Sequence, residues 1–331
     1  MDIQSLLLVE ENSALVAAIS NGCLICNSAL DRQVDGLFDT RFGIDGDYQV
    51  SRCDNCGLEQ IQPLPTEDHL KYLYETYYNF GGEEGTFYIA LREWFFLSPL
   101  YRLWVFLDGD LSFHGYKGRG RLLDVGCNEG RGLKLYRRSG FEAEGLELNE
   151  KAASEARKAG FTVHTGMLDD FQPREAYDVL VLSNVLEHSL DPKSMLLSAR
   201  RVLKPGGEIW ISCPNNQSWL RKVFGRYWIN WHVPFHIVHF SPSVLSRLLS
   251  DTGFEEVKLR QITPAAWVGS SFLSWIFSRP GRPTKELRNP FLVCTLLFFV
   301  RGVLFPALIA GNWLDKGDCI AVSARASAIK V

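Results

Sequence analysis

Leu122-Leu123-Asp124-Val125-Gly126-Cys127-Asn128-Glu129-Gly130-Arg131-Gly132 is the stretch on which the fold is decided. The apolar run from Arg121 to Val125 reads as a buried strand, and it ends at a glycine-rich turn that opens a helix. Such a turn lets the backbone approach a ligand at the carboxyl edge of a parallel sheet. Glu147 stands 23 residues after Asp124, where the next strand of such a unit ends. A carboxylate there can accept hydrogen bonds from both hydroxyls of a ribose. A dinucleotide fingerprint would need a glycine at Asn128, so a pyrophosphate cradle fits poorly. Asp124, two residues before the first glycine, suits a cationic amino-acid ligand instead.

Outward from this loop the chain alternates helices and strands. Helices are expected over 130–139, 151–159, 192–203 and 242–252, and strands over 143–148, 162–165, 177–183, 208–213, 254–262 and 318–326. With Arg121–Val125 that makes seven strands. The 331 residues, 46% of them hydrophobic, allow one large core and a smaller module. Net charge is -3 from 35 basic and 38 acidic side chains, so no global basic field for nucleic acid exists. Met1-Asp2-Ile3-Gln4 shows neither a basic n-region nor a long apolar core, which leads us to expect a cytoplasmic, reducing location.

Eight cysteines in such a compartment read as metal ligands or buried apolar residues. Cys23-x-x-Cys26 and Cys53-x-x-Cys56 form two knuckles, each presenting two thiolates to one tetrahedral ion, and a structural zinc is expected. Cys127, Cys213, Cys294 and Cys319 sit singly in apolar segments, as packing residues do. Residues 1–20 have the spacing of a short amphipathic helix (Leu6, Leu7, Leu8, Leu15, Val16, Ile19), and Thr66 is a candidate N-cap for the helix after Pro63-Leu64-Pro65.

Residues 263–316 interrupt the pattern. Trp267, Phe272, Leu273, Trp275, Ile276 and Phe277 precede a basic stretch (Arg279, Arg282, Lys285, Arg288) and an apolar run from Phe291 to Ala310. Twenty such residues are long enough to span a bilayer, yet Arg301, Gly302 and Pro306 interrupt them. A crossing would also strand Asp318–Ala326 on the far side from its sheet. An interfacial or re-entrant helical hairpin respects the topology. A helical subdomain or dimer interface is the alternative.

The loop Asp124, Gly126, Cys127, Asn128, Gly130 resembles the first motif of the class I S-adenosylmethionine-dependent methyltransferases, D-x-G-C-G-x-G, with Asn128 replacing a glycine. Asparagine tolerates positive φ better than other non-glycine residues. Cys53-Asp54-Asn55-Cys56-Gly57-Leu58, Pro63-x-Pro65, Tyr74, Tyr77 and Tyr78 resemble bacterial methyltransferases with an N-terminal zinc-binding segment, many associated with polysaccharide or sugar biosynthesis. The resemblance covers roughly residues 21–262 and 317–326. It implies an α/β fold: a seven-stranded, doubly wound, Rossmann-like sheet with an N-terminal zinc ribbon and an apolar helical insert before the last strand. The corresponding division is 1–62 for the helix and zinc module, 63–118 for a helical linker or lid, 119–262 with 317–331 for the catalytic domain, and 263–316 for the insert.

The resemblance also implies the site. Asp124 and the backbone of Gly126, Cys127, Asn128 and Gly130 would flank the methionine moiety of the cofactor, and Glu147 would hold its ribose, with Leu148 beside it. Met167 and Leu168 would sandwich adenine, near Asp169 or Asp170. Ser183 and Asn184 would face the sulfonium. Glu187-His188-Ser189-Leu190-Asp191-Pro192 resembles the E-H-x-x-D-P segment of these enzymes, including ubiquinone-pathway O-methyltransferases in which an acidic residue three before the pair helps bind a metal. That position is Asn184, which disfavours a catalytic divalent ion. His188 is the expected general base, with Glu187 orienting it. His232, His236 and His239 fall in a loop resembling the family's P-x-H-x-x-x-F-S segment, where His236 would join the acceptor pocket and Trp228 and Trp231 would supply an aromatic wall.

These readings converge on an enzyme, a methyltransferase using S-adenosyl-L-methionine and a structural Zn2+. Its expected acceptor is small or lipid-linked, a saccharide hydroxyl first, with peripheral membrane contact through 263–316 on the inner face of the cell membrane. Three rivals remain: a non-catalytic cofactor-binding scaffold, a quinone-type methyltransferase, and a nucleic-acid methyltransferase gripping RNA with its zinc module. The last needs a basic face on 21–62. That segment has Arg32, Arg41 and Arg52 against Asp31, Asp35, Asp39, Asp45, Asp47, Asp54 and Glu59, so no nucleic-acid partner is expected.

Overall fold

The computed structural model describes residues 22–77, 94–96 and 98–328. The helix expected over 1–20 and the middle of the expected 63–118 linker, Tyr78 included, lie outside the described residues.

Seven of the strands after Gly120 form one sheet. They are β4 (Arg121–Val125), β5 (Glu142–Glu147), β6 (Val163–Thr165), β7 (Tyr177–Ser183), β8 (Leu203–Pro214), β10 (Phe254–Ile262) and β11 (Cys319–Ala326). Their order is β10-β11-β8-β7-β4-β5-β6. The pairs β4–β5, β5–β6, β4–β7 and β7–β8 are parallel, and β11 alone runs antiparallel, between β8 and β10. Strand order reverses between β4 and β7, and a crevice opens at the carboxyl ends of sheet strands where such a reversal occurs.

Local chemistry explains the helices that connect these strands. Helix α3 (Arg131–Arg138) follows the glycine loop directly. Asn149 caps α4 (Glu150–Lys158) by accepting from the amides of Lys151 and Ala152. Asp191 caps α5 (Pro192–Val202) through the Ser194 amide, and Ser241 caps α7 (Pro242–Asp251) through the Val244 amide. Both helices carry proline in the first turn, where its missing N–H costs nothing. Between α5 and α7 lie α6 (Trp219–Phe224) and the short strand β9 (Val238–His239). Leu122, Leu123, Leu180, Leu182, Ile209 and Ile211 are fully buried, as two-sided coverage of a parallel sheet requires.

The N-terminal module forms a second sheet. Strands β1 (Leu30–Leu37), β2 (Tyr48–Cys53) and β3 (Glu59–Gln62) run antiparallel, and β3 pairs with β9 of the larger domain through Glu59–His239 and Gln60–Val238. Thr66 does cap α1 (Glu67–Tyr77), its hydroxyl accepting from the His69 amide at 3.1 Å. Helix α2 (Pro99–Asp108) precedes β4. The insert consists of α8 (Ala265–Phe277), a basic loop, and one continuous helix made of α9 (Pro290–Phe299), a π-helical turn (Val300–Leu304) and α10 (Phe305–Trp313). Arg301, Gly302 and Pro306 thus leave that helix unbroken. Cys294 is exposed on it, unlike the buried Cys127, Cys213 and Cys319.

Candidate active site

The loop after β4 lies at the reversal point and holds three successive special conformations: Gly126 at φ 72°, Asn128 at φ 50° and Gly130 at φ 77°. Asn128 therefore occupies the left-handed region in which its amide side chain is tolerated, and its Nδ2 donates to the Gly126 carbonyl at 3.0 Å. Glu147, at the end of β5, reaches this loop. Its Oε2 accepts from the Asn128 amide and its Oε1 from the Asn149 amide, each at 2.9 Å. Gly145 makes the approach of loop to strand possible, because a Cβ there would stand 2.3 Å from the Cys127 sulfur.

Asp124 is buried beside this loop. Burial, followed by the charge of Glu147, pushes its carboxyl up to about 8. A buried acid that lacks a cation is the group that a cationic ligand would ionise. Across the crevice, Asn184 ends β7 at φ 54°, and its side-chain Oδ1 is buried without a hydrogen-bond partner among the described residues. Such an orphaned acceptor is costly unless a ligand meets it. The Ser183 hydroxyl donates to the Leu111 carbonyl at 3.2 Å. The 109–114 segment that it touches also approaches the start of α3, with His114 beside Gly132 and bonded through Nδ1 to the Tyr101 hydroxyl at 2.6 Å. Met167 is half exposed, Leu168 is packed in the core, and Leu148 is about half exposed.

Beyond Asn184 a short 3-10 turn carries Glu187 and His188. His188 Nδ1 lies 3.0 Å from the Phe235 carbonyl and 2.8 Å from the Tyr74 hydroxyl. A carbonyl only accepts, so Nδ1 carries the proton and Nε2 keeps the lone pair. Burial holds this imidazole down to about 4, neutral throughout the physiological range. The expected orientation of His188 by Glu187 is corrected here. Glu187 is fully buried, both its oxygens lack hydrogen-bond partners among the described residues, and its nearest titratable neighbour is His236 Nε2 at 4.0 Å. Burial pushes Glu187 up to about 8. His236 in turn fixes its tautomer by donating from Nδ1 to the Asn230 carbonyl at 2.8 Å. One ligand atom from each of Glu187, His188 and His236 falls within 4.8 Å of the others.

Trp228 and Trp231, expected to wall the acceptor pocket, are core residues. Their indole N–H groups donate to Asp318 Oδ1 at 2.8 Å and to the Gly225 carbonyl at 2.9 Å. The aromatic wall comes from elsewhere. Phe42 packs on Tyr77, His232 and Phe235, with ring centroids 5.5–5.9 Å apart, and Tyr74 packs on Phe235 at 5.5 Å. Phe42 also lines a cleft with Arg41, Tyr77, Lys285 and Arg288. Sequence reasoning missed Tyr74 and Phe42 as site residues. The Tyr74/Tyr77 pair was noticed as a motif, whereas nothing local marks Phe42.

Residues 110–259 match a family model described as a methyltransferase domain. The ubiquinone biosynthesis O-methyltransferase of Methylococcus capsulatus is 30% identical over 165 residues, spanning 45% of this chain and 68% of that protein. That of Thiobacillus denitrificans is 30% identical over 182 residues, spanning 50% of this chain and 75% of that protein. The chain belongs to the class I S-adenosylmethionine-dependent methyltransferases. Among solved structures, a methyltransferase of Thermotoga maritima is similar at 20% identity and a TM-score of 0.45, over 78% of this chain and 99% of that one. One from Archaeoglobus fulgidus gives 20% and 0.44, over 72% and 100%.

Two carboxyl groups and the glycine loop have the chemistry that such a cofactor needs. Asp124 would offer a carboxyl to an α-ammonium and Glu147 would offer oxygens to a ribose, beside the positive-φ loop of Gly126, Asn128 and Gly130. In the N-terminal module the four thiols of Cys23, Cys26, Cys53 and Cys56 converge within 4.8 Å of one another, with Cys23–Cys56 at 3.5 Å and Cys26–Cys53 at 3.4 Å. Backbone amides of Ile25 and Cys56 point at the sulfurs of Cys23 and Cys53, both at 3.4 Å. A tetrahedral ion with Zn–S bonds of about 2.3 Å needs sulfurs about 3.8 Å apart, so this set could hold one. The module also reaches the active site through backbone: the Ile61 amide donates to the Ile237 carbonyl and the Ile237 amide to the Glu187 carbonyl.

Proposed function

We propose that this methyltransferase transfers a methyl group to the hydroxyl of a ring-shaped acceptor of the quinone or phenol type, using His188 as the base. The observation that carries the reading is the wall beside His188. It is built from the partly exposed Phe42, Tyr74 and Tyr77, backed by the buried Phe235, while the two tryptophans suited to stacking on a sugar ring are spent in the core. The similarity to enzymes named ubiquinone biosynthesis O-methyltransferases points the same way. Bound S-adenosylmethionine would supply an electrophilic methyl group on a sulfonium. In the transfer an oxygen–carbon bond forms, the carbon–sulfur bond breaks, and the hydroxyl proton passes to His188 Nε2. Arg41, Lys285 and Arg288 line the cleft beside Phe42, and their charge would stabilise the negative charge that develops on the acceptor oxygen as its proton leaves. The resemblance of the N-terminal module to sugar-pathway enzymes supports a saccharide hydroxyl as the second reading.

A panel assay separates them. The purified full chain is incubated with S-adenosylmethionine and either polyprenylated catechols or lipid-linked saccharides, and methylated product is read by mass spectrometry. Turnover on the phenols alone is expected. Turnover on saccharides alone would overturn the first reading, and cofactor binding without turnover on any acceptor would favour a scaffold.

We further propose that Cys23, Cys26, Cys53 and Cys56 hold a structural zinc ion that pins β3 against β9 and so fixes the acceptor loop. One equivalent of zinc per chain by elemental analysis, lost in Cys53→Ser, is the expected result. A metal-free chain of undiminished stability would reject it.

A further inference from the structure

A surface helix ordinarily hides its apolar stripe and shows water a polar one. The helix Phe291–Trp313 does the reverse. It has 23 residues, a mean hydropathy of 2.3 and only 11% burial over its most apolar stretch. Its one charged residue, Arg301, turns inward, paired with Asp108 of α2 and lying over the rings of Trp104 and Phe305 at 5.8 and 5.7 Å. The outward face therefore carries no charge, and Phe298 on it is 80% exposed.

Two other helices extend this surface. Trp275 and Ile276 project from the end of α8, and Leu103 and Phe106 project from α2, with Phe106 82% exposed. Helix α2 is joined to the insert by Asp108, which accepts from the Ala265 amide at 2.8 Å as well as pairing with Arg301. Elements some 200 residues apart in the chain thus present one apolar face. The face cannot belong to a spanning segment. The helix is followed within five residues by β11, which must lie between β8 and β10, and the Trp219 amide bonds to the Lys316 carbonyl on the way.

The rim identifies the occupant. The loop before the helix carries Arg279, Arg282, Lys285 and Arg288 against the single acid Glu286. A cationic rim beside aromatic ends matches the anionic headgroup layer of a bilayer. A protein partner would use hydrogen bonds across the interface, and this face, built of Phe, Leu, Val and Trp, offers almost none.

We propose that α2, α8 and the α9–α10 helix form one docking surface that seats the enzyme on an anionic bilayer, with the long helix lying in the membrane plane. The consequence concerns access. Helix α2 runs directly into 109–114, whose Leu111 carbonyl and Ser112 hydroxyl touch Ser183 at the carboxyl end of β7, so the docked face and that end of the sheet are a few residues apart. This last step rests on the acceptor reading above, because only a lipid-borne acceptor would exploit it. The docking itself does not.

The test is co-flotation of the full chain with vesicles of phosphatidylcholine alone and of phosphatidylcholine with phosphatidylglycerol. Binding is expected on the anionic vesicles, weaker by about tenfold or more on the neutral ones, since each cation near an anionic surface strengthens binding roughly fivefold. The double variant Phe106→Glu/Phe298→Glu should lose flotation while keeping its S-adenosylmethionine affinity in calorimetry, which certifies the fold. Arg279→Ala/Arg282→Ala, two exposed cations outside the Phe42 cleft, should lose only the preference for anionic lipid. The proposal is overturned if the wild type floats with neither vesicle. It is equally overturned if the wild type is a dimer by light scattering that Phe106→Glu/Phe298→Glu splits into monomers, with no vesicle binding. Loss of phenol turnover with flotation intact would reject the acceptor reading and leave the docking surface standing.

Discussion

Replacing Glu147 by glutamine tests the cofactor site with the smallest change of shape. In the wild type each carboxylate oxygen accepts from a loop amide, Asn128 on one side and Asn149 on the other, both at 2.9 Å. Glutamine keeps one acceptor and turns the other into an NH2 group facing an N–H, a donor against a donor. A hydrogen bond to a charged partner contributes about 1.5–3 kcal/mol, and the ribose would lose at least one such bond. Each 1.4 kcal/mol is tenfold in affinity, so the dissociation constant for S-adenosylmethionine should rise about 10- to 150-fold. The assay is isothermal titration at constant pH with S-adenosylmethionine and S-adenosylhomocysteine, on a variant whose circular dichroism matches the wild type. A second readout follows from Asp124, whose carboxyl is held up partly by the charge of Glu147, so its pKa should fall in the variant. A dissociation constant within about twofold of wild type would refute the assignment of Glu147 to the ribose.

Glu187→Gln should flatten the pH dependence of stability. Burial pushes the Glu187 carboxyl up to about 8 in the folded chain, so its contribution is fully present below the unfolded value of about 4.3 and is lost as pH rises towards 8. Between pH 5.5 and 7.5 the wild type should lose on the order of 2–3 kcal/mol relative to the variant in urea titrations, and parallel slopes would show Glu187 to be charged in the fold. His188→Gln should lower kcat about 10²- to 10⁴-fold with cofactor affinity unchanged, and the wild-type rate should show no His188 inflection between pH 5 and 8, because burial holds that imidazole down to about 4. Gly145→Ala should cost about 1–3 kcal/mol in chemical denaturation, since its Cβ would meet the Cys127 sulfur at 2.3 Å; an undiminished midpoint would mean that the loop has room to spare.

The catalytic sheet was legible because its signals are local. Strand Arg121–Val125 lies between Gly120 and Gly126, Tyr177–Ser183 stops at Asn184, and Phe254–Ile262 starts after Gly253. Asn128 could be assigned positive φ in advance because only its own backbone is involved. The acceptor side was less legible. Trp228 and Trp231 have the composition of a pocket wall, yet partners 90 residues and 6 residues away claim their indoles for the core. Glu187 adjoins His188 in sequence, but on the 3-10 turn His188 Nδ1 bonds to the Phe235 carbonyl and the Tyr74 hydroxyl and not to Glu187.

The sequence by itself therefore determined the seven-stranded sheet, the glycine loop with Asp124 and Glu147, and the pairing of two cysteine knuckles. Periodicity, turn chemistry and short spacings carry that information within a few residues. Only the tertiary structure decided which groups serve the acceptor site. It extended the small sheet by β9, brought Tyr74 and Phe42 to His188, and turned Arg301 inward so that the insert shows an uncharged face. Those outcomes depend on which buried polar group finds which partner across more than a hundred residues, and packing settles that only once the whole chain has closed.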